Sequence, residues 1–195
     1  VKVNGRNAGV KAKRGKYVRL SGKWNNGDEV TLHFPMKIET VSWPTNKESV
    51  SVNYGPLTFS LLIKEDYKKV KSNENAIWDS KWQKDADVDA WPTYEIYPDS
   101  PWNYALKLDD AAPEENLIVE KREWPSDDFP FTIQNVPFLI KAKGRKVPSW
   151  KIDKYGLCGM LPEENCSKSD TLEDITLIPM GAARLRISSF PVAQD

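Results

Sequence analysis

The stretch that decides the fold runs from Ser49 to Ile63 and reads SVSVNYGPLTFSLLI. Its first part, Ser49 to Asn53, alternates polar and apolar residues, which indicates a strand. Gly55-Pro56 is a dipeptide that marks a turn. Leu57 to Ile63 is nearly continuous in apolar residues, which is typical of a strand buried on both faces. The stretch therefore predicts a strand, a turn and a second, buried strand.

Strand patterns continue on both sides of this stretch. Val1 to Val3 alternates and is followed by Asn4-Gly5, a pair that favours a type I′ hairpin because both central residues need a positive φ. Glu29 to Phe34 alternates cleanly, with its apolar residues on one face. Further strand patterns occupy residues 17–20, 37–42, 93–97, 103–108, 117–121, 137–143, 174–178 and 182–188. The last two are predicted to form a closing hairpin.

These patterns predict an all-β fold, a β-sandwich of roughly 11–13 short antiparallel strands. We interpret residues 1–195 as a single domain with an acidic, tryptophan-rich insertion at approximately 65–135. At most one or two short helices are expected, and Asn73 to Lys84 has a helical pattern. Segments 15–63 and 174–190 are expected to share one sandwich, because distant strands commonly meet in such topologies.

The formal charge is zero but unevenly distributed. The 28 lysines and arginines balance 28 acidic residues, which argues against a broad nucleic-acid binder and a basic membrane-surface protein. No apolar run approaches the roughly 18–20 residues that span a bilayer. Residues 1–50 carry a net +6, whereas residues 65–130 carry a net −9 and hold five of the eight tryptophans. We expect no nucleic-acid or membrane partner, and the acidic segment is either an insertion or a solvated face.

The residue patterns predict no active site. His33 is the single histidine and falls on the polar phase of its strand, which nearly excludes catalytic triads and histidine-rich metal sites. Asp85, Asp87 and Asp89 are spaced like the start of a calcium loop, but the required glycine and closing glutamate are missing. Carboxylate pairs adjacent in sequence do not indicate the separation of about 5–9.5 Å that a glycosidase needs. We therefore expect no catalytic residue, metal or cofactor in this chain.

Two cysteines, Cys158 and Cys166, lie in a loop predicted over residues 156–171. They form no CxxC motif and have no histidine nearby, so a zinc site is not expected. Two alternatives stay open for them. They are a pair of free thiols, or a loop disulfide formed in an oxidising compartment.

The tryptophans are the main candidates for binding. Exposed tryptophan rings in a β-sandwich can stack on sugars; alternatively they fill the core or face a neighbouring domain. The candidates for carbohydrate or domain-interface contacts are Trp78, Trp82, Trp102 and Tyr104. An interface there would form an apolar patch larger than a few hundred Å². The full set considered for stacking is Trp78, Trp82, Trp91, Trp102, Trp124 and Trp150.

Six segments together carry a resemblance to a known family. They are VKVNGR at 1–6, GKYVRLSGKWNNGDEVTLHFPMKIE at 15–39, SVNYGPLTFSL at 51–61, SPWNYALKL at 100–108, PFLIKAKGRKVPSW at 137–150 and TLIPMGAARLRISSFP at 176–191. The chain resembles the C-terminal region of glycoside hydrolase family 127 and its relatives, the β-L-arabinofuranosidase-like proteins. Its longer middle, with EIYPDSPWNYAL, is similar to the branch found in polysaccharide-degrading Bacteroidetes.

The resemblance implies a glycosidase parent. In such proteins an upstream (α/α)₆ barrel carries a zinc-bound cysteine nucleophile and a glutamate, and β-sandwich domains follow it. The family's adjacent-cysteine motif is absent here, and Cys158 and Cys166 do not match it. The resemblance thus implies a non-catalytic C-terminal domain that packs on the barrel or mediates dimerisation. The alternative is a carbohydrate-binding module that uses exposed tryptophans.

The resemblance and the first residues lead us to expect a fragment of a larger protein. Val1 already belongs to a strand pattern, with no polar leader before it. Strands that begin at the first residue usually follow another element, which here would be the end of the upstream region. The parent protein is expected to be periplasmic or secreted.

Overall fold

The computed structural model describes residues 1–13, 15–70, 87, 89–109 and 111–193. They divide into two compact units, Val1–Met36 and Lys37–Asp195. The described residues of both units form strands and turns, with short 3₁₀ helices in the second unit, so the predicted all-β, sandwich-like class is confirmed. Within the described ranges no helix is long and apolar enough to cross a membrane. The single domain predicted over 1–195 stays a prediction, and the predicted helix from Asn73 to Lys84 lies outside the described residues.

The first unit holds a three-stranded antiparallel sheet of order β2-β1-β3. Its strands are β1 (Lys2–Val3), β2 (Arg6–Asn7) and β3 (Val30–Thr31). Asn4 and Gly5 have φ values of 49° and 75° between β1 and β2, as the Asn-Gly pair predicts for a type I′ turn. The side-chain oxygen of Asn4 accepts the N–H of Glu29 at 2.8 Å, and its amide donates to Asp28 at 2.9 Å. Asn4 therefore fastens the turn to the segment before β3.

Two strand predictions in the first unit are wrong. Residues 17–20 form no strand, and the strand predicted over Glu29 to Phe34 is limited to Val30–Thr31. The reason is the length of the partner: β1 offers two residues, which pair with Val30 and Thr31. Beyond them the chain has no ladder to join, and Phe34 is 76% exposed. Alternation alone does not make a strand when the pairing edge is this short.

The second unit contains ten strands and three 3₁₀ helices among its described residues. The strands are β4 (Ile38–Trp43), β5 (Ser49–Tyr54), β6 (Leu57–Leu61), β7 (Glu65–Val70), β8 (Thr93–Pro98), β9 (Tyr104–Lys107), β10 (Ile118–Lys121), β11 (Phe138–Lys146), β12 (Leu172–Pro179) and β13 (Val192–Ala193). The 3₁₀ helices are Pro44–Asn46, Pro113–Asn116 and Met180–Ala182. Eight of the strands form one sheet of order β13-β9-β11-β12-β6-β5-β4, in which β10 also pairs with β11. β7 and β8 form a separate two-stranded sheet.

The C-terminal segment joins the two sides of the large sheet. β13 pairs with β9 in parallel. Two residues before β13, Phe190 exchanges two backbone hydrogen bonds with Val50 of β5, at 2.8 and 2.9 Å. The carbonyl of Ile187 also accepts the N–H of Leu61 in β6, at 2.8 Å. The sheet is thereby closed through one short segment, which gives the unit its sandwich-like architecture.

The core of the second unit lies on both faces of the large sheet, since the consecutive residues Leu139 and Ile140 are both buried although their side chains point to opposite faces. Its largest fully buried side chains are Phe59, Phe190, Leu61, Leu106, Leu139, Ile140, Leu177 and Ile178. They come from β6, β9, β11, β12 and the C-terminal segment. β6 pairs directly with β12, so segments 57–61 and 172–179 share one sheet although more than a hundred residues separate them. The apolar run after Gly55-Pro56 is buried over its last three strand residues, in agreement with the sequence prediction.

Two features of the second unit differ from the sequence prediction. The closing hairpin is wrong: β12 forms as expected, but residues 183–189 form no strand after the 3₁₀ helix Met180–Ala182. Within them the carbonyl of Ile187 accepts a hydrogen bond from Leu61 of β6, and Phe190, just beyond them, pairs with Val50 of β5. β7 was not predicted, because its sequence EDYKKV is polar on both faces. Such a strand forms by pairing with β8 and not by covering a core.

Gly144 allows β9 and β11 to approach closely. A Cβ at this position would lie 3.0 Å from Cδ1 of Ile175 and 3.1 Å from the carbonyl oxygen of Ala105. That oxygen belongs to the strand that pairs with β11, so it cannot move freely. We expect Gly144→Ala to lower the free energy of unfolding by about 1–3 kcal/mol in urea titrations. Gly181→Ala is the matched control, since its Cβ would meet its nearest neighbour at 4.0 Å; equal effects of both substitutions would contradict the prediction.

Candidate functional site

Trp102 and Tyr104, two of the predicted candidates, lie at the start of β9 and pack within the second unit. Tyr104 is buried and Trp102 is half-buried. The ring of Trp102 meets the ring of Trp150 edge to face, with 5.2 Å between their centroids. Trp150 is itself buried, and its indole N–H donates to the carbonyl of Gly159 at 3.0 Å. The assignment of Trp102 and Tyr104 to a glycan or to another domain stays a prediction.

Trp78 and Trp82, the other two candidates, lie outside the described residues. Of the remaining tryptophans considered for stacking, Trp91 and Trp124 are 71% and 58% exposed. Trp91 lies just before β8, and Trp124 lies in the loop that follows β10. The described tryptophans are therefore divided between the core and the surface. Trp124 lies on a surface that the sequence did not single out.

Tyr104 belongs to a polar cluster that spans three neighbouring strands. Its hydroxyl donates to Glu173 of β12 at 2.8 Å, and Lys146 of β11 lies 2.9 Å from the other oxygen of that carboxylate. Burial, followed by the hydrogen bond to Glu173, raises the pKa of Tyr104. The hydrogen bond from Lys146, followed by that from Tyr104, lowers the pKa of Glu173. Tyr104 and Lys146 both bind the carboxylate of Glu173, and the ammonium group of Lys146 also lies over the ring of Tyr104. Such mutual pairing is typical of a structural network.

The lowered pKa of Glu173 predicts a pH dependence of stability. A carboxylate whose pKa is lower in the folded chain contributes stability above its unfolded pKa of about 4.3 and loses it as pH falls through the folded pKa. In urea titrations we expect Glu173→Gln to lower the free energy of unfolding by about 1 kcal/mol at pH 7 and by less at pH 3. Asp174→Asn removes an exposed ion pair with Lys143 and should change stability by less than about 0.5 kcal/mol. A cost of Glu173→Gln that is the same at both pH values would refute the pH dependence.

Two adjacent cavities in the second unit share Phe131: an apolar half, and a half called polar here because it carries the charged side chains. The apolar half has a volume of about 400 Å³ and is lined by Trp124, Phe131, Phe138 and four prolines. The polar half has a volume of about 380 Å³. Phe131 and Ala182 line both halves, so the two halves are adjacent. We call this feature the Phe131 groove.

Two aromatic residues of the groove, Trp124 and Phe131, lie on a loop over residues 122–136 whose polar side chains hydrogen-bond within it. The indole N–H of Trp124 donates to the carboxylate of Asp128, whose φ is 56°. The carboxylate of Asp127 accepts the N–H of Phe129 at 3.1 Å and the side-chain amide of Asn135 at 3.4 Å. The amide of Asn135 also donates to the carbonyl of Phe129 at 3.2 Å. Asp127, Asp128 and Asn135 thus hold the loop in its conformation.

The same loop turns its aromatic side chains toward solvent. Trp124, Phe129 and Phe131 are all exposed. The rings of Phe129 and Phe131 meet edge to face at 5.4 Å. Sequence analysis considered Trp124 but missed both phenylalanines; the local signal was the run WPSDDFPF at 124–131, in which turn-forming residues alternate with aromatic ones.

The polar half of the groove combines two acidic and two basic side chains. Glu65 is fixed in place, since it accepts the hydroxyl of Tyr67 at 2.6 Å and the backbone N–H of Arg184 at 2.8 Å. The hydrogen bond to Glu65 raises the pKa of Tyr67. Lys64 and Asp99 complete the charged lining, next to the amide of Gln134. The formal charge of the lining is therefore zero, with both donors and acceptors available.

The histidine and the two cysteines considered in the sequence lie among the residues that the structure describes. His33 is exposed. Among the residues that the structure describes, no three histidine, cysteine, aspartate or glutamate side chains come together to hold a metal ion. Cys158 is exposed and Cys166 is half-buried, and both are free thiols. Of the two alternatives that the sequence left open for the cysteines, the structure contains the thiols.

Comparison with known protein families adds a relationship for the first unit. Residues 1–36 match the family described as Beta-L-arabinofuranosidase, GH127 middle domain. The matched residues coincide with the first compact unit, Val1–Met36. No curated protein and no solved structure matches the chain. The match supports a relationship to glycoside hydrolase family 127, and the predicted position in the C-terminal region of that family stays a prediction.

Proposed function

We propose that the chain is a non-catalytic β-sandwich part of a glycosidase related to glycoside hydrolase family 127. The observation that carries the proposal is that the family match and the first compact unit end at the same residue, Met36. A match that follows a structural boundary is what a genuine domain relationship would give. Residues 37–195 then form a further β unit of the same protein, beyond the matched middle domain.

The use of titratable groups in the second unit agrees with an accessory role. Catalytic groups are commonly those whose pKa is shifted by burial and by a specific charged partner. Here Tyr104 and Glu173 have shifted pKa values, but they are held against each other and Lys146 between adjacent strands. Their interactions support the sheet, which is a sufficient reason for the shifts.

The partner in this proposal is the (α/α)₆ catalytic barrel of the same protein, on which the β unit packs, or a second copy of the chain. Exposed aromatic side chains outside the Phe131 groove, Trp43, Trp91 and Tyr155, support a docking role, since tryptophan and tyrosine are enriched in the buried centres of protein interfaces. The alternative is carbohydrate binding. It has a specific observation in its favour, the juxtaposition of aromatic and polar linings in the Phe131 groove.

Activity measurements test the proposal. The 195-residue chain and a version extended by its upstream coding sequence are assayed on aryl arabinofuranosides. We expect hydrolysis by the extended protein and none by the chain. Light scattering after size exclusion reports whether the chain binds a separately produced upstream region or forms a dimer. Turnover by the chain itself, abolished by a substitution within residues 1–195, would overturn the non-catalytic role.

A further inference from the structure

We propose that the Phe131 groove binds a neutral sugar ring of a glycan. The inference rests on the proposed function in one respect, the relationship to proteins that act on glycans. It goes further by naming the site, the ligand class and the residues. Both halves of the groove lie within the volume range of about 300–1,000 Å³ that small-molecule sites occupy.

The apolar half provides a preformed stacking surface. Exposed aromatic rings are unfavourable in water, yet Trp124 and Phe131 are displayed by a loop whose own polar groups hold it in place. A surface that is ordered before binding avoids the cost of ordering side chains and loop on association. The apolar C–H faces of a sugar ring match flat aromatic rings, so the ring of Trp124 or Phe131 could carry one residue of a glycan.

The polar half determines which occupant fits. Its lining of Lys64, Glu65, Asp99 and Arg184 has no net formal charge, so neither an anion nor a cation is favoured overall. Hydroxyl groups both donate and accept, and they can therefore pair with the carboxylate of Asp99 as well as with the guanidinium of Arg184. Within the described part of the chain, the side chains of Asp99 and Gln134 make no hydrogen bond or ion pair, which leaves them available for such hydroxyls.

A protein segment is a poorer occupant of the same groove. An apolar segment long enough to fill both halves would cover Lys64, Asp99 and Arg184 as well as Trp124. Burying those charges without partners costs several kcal/mol each. A polyhydroxylated ligand satisfies both halves at once, because its ring faces are apolar and its edge is polar. A glycan therefore fits the groove better than a protein segment does.

Binding is tested on the full 195-residue chain by titration calorimetry. The probes are soluble arabino-, xylo- and gluco-oligosaccharides, each raised to millimolar concentration. We expect saturable binding of at least one probe, and a loss of affinity of tenfold or more in both Trp124→Ala and Phe131→Ala. Trp91→Ala is the matched control, since Trp91 is also exposed but does not line the groove, and it should bind like the unmodified chain. Thermal unfolding of each variant verifies that it is folded.

A second variant tests the polar half independently. Arg184→Ala changes an exposed side chain, so it should fold normally and lose affinity by several-fold. The inference is overturned if no probe binds, if binding survives Trp124→Ala and Phe131→Ala, or if the chain forms a dimer through the groove that sugar does not displace. These outcomes are independent of the accessory role, which fails when the chain alone shows turnover.

Discussion

Phe190→Ala is expected to lower the free energy of unfolding by roughly 3–5 kcal/mol, as large-to-small substitutions in well-packed cores do. The ring of Phe190 is fully buried in the second unit. Its backbone also makes both hydrogen bonds to Val50 that fasten the C-terminal segment to β5. An alanine would keep the backbone groups but leave a cavity in the core of the second unit. The cost should therefore combine lost burial with weakened closure of the sheet.

Urea unfolding followed by tryptophan fluorescence measures this effect. Phe129→Ala is the control, because the ring of Phe129 lies on the surface and its loss should cost less than about 1 kcal/mol. A change below about 1 kcal/mol for Phe190→Ala would mean that residues 187–193 are not part of the cooperative core. In that case residues 187–193 would not close the sheet.

The fold could be predicted from sequence where the local pattern and the long-range pairing agree. Leu57 to Ile63 is apolar enough to require burial, and β6 obtains it between β5 and β12. Asn4-Gly5 encodes its turn through backbone preference alone. The strand predicted over Glu29 to Phe34 is shorter than expected because its partner strand, β1, has only two residues. The strand predicted over residues 182–188 is wrong because Ile187 meets β6 through a backbone hydrogen bond from Leu61 without a ladder forming along the segment.

The Phe131 groove could not be predicted from the sequence in the same way. Its lining comes from distant segments, around Glu65, Asp99, Phe131 and Arg184. Only the fold brings these residues together, through the pairing of β6 with β12 and of β7 with β8. The tryptophan count directed attention to residues near β9, where rings pack inward. The exposed aromatic loop has two phenylalanines beside its tryptophan, so the positions of the tryptophans alone do not reveal this surface.

Trp150→Ala should have an effect of similar size to Phe190→Ala, roughly 3–5 kcal/mol, because the indole is buried. Its N–H also donates to the carbonyl of Gly159, which would be left without that partner. Trp102→Ala should cost less, about 1–2 kcal/mol, since the half-buried ring of Trp102 loses mainly its edge-to-face contact with Trp150. The measurements are urea titrations of both single variants and the double variant.

The double variant separates the two roles that the sequence leaves for Trp102. If its ring supports the core through Trp150, the two substitutions should be non-additive by about 0.5–1.5 kcal/mol. If Trp102 instead awaits another domain or a glycan, Trp102→Ala should cost almost nothing and the two effects should add. The edge-to-face geometry at 5.2 Å favours the first result. A negligible cost would return Trp102 to the binding surface, where its loss would be measured as weakened association and not as lowered stability.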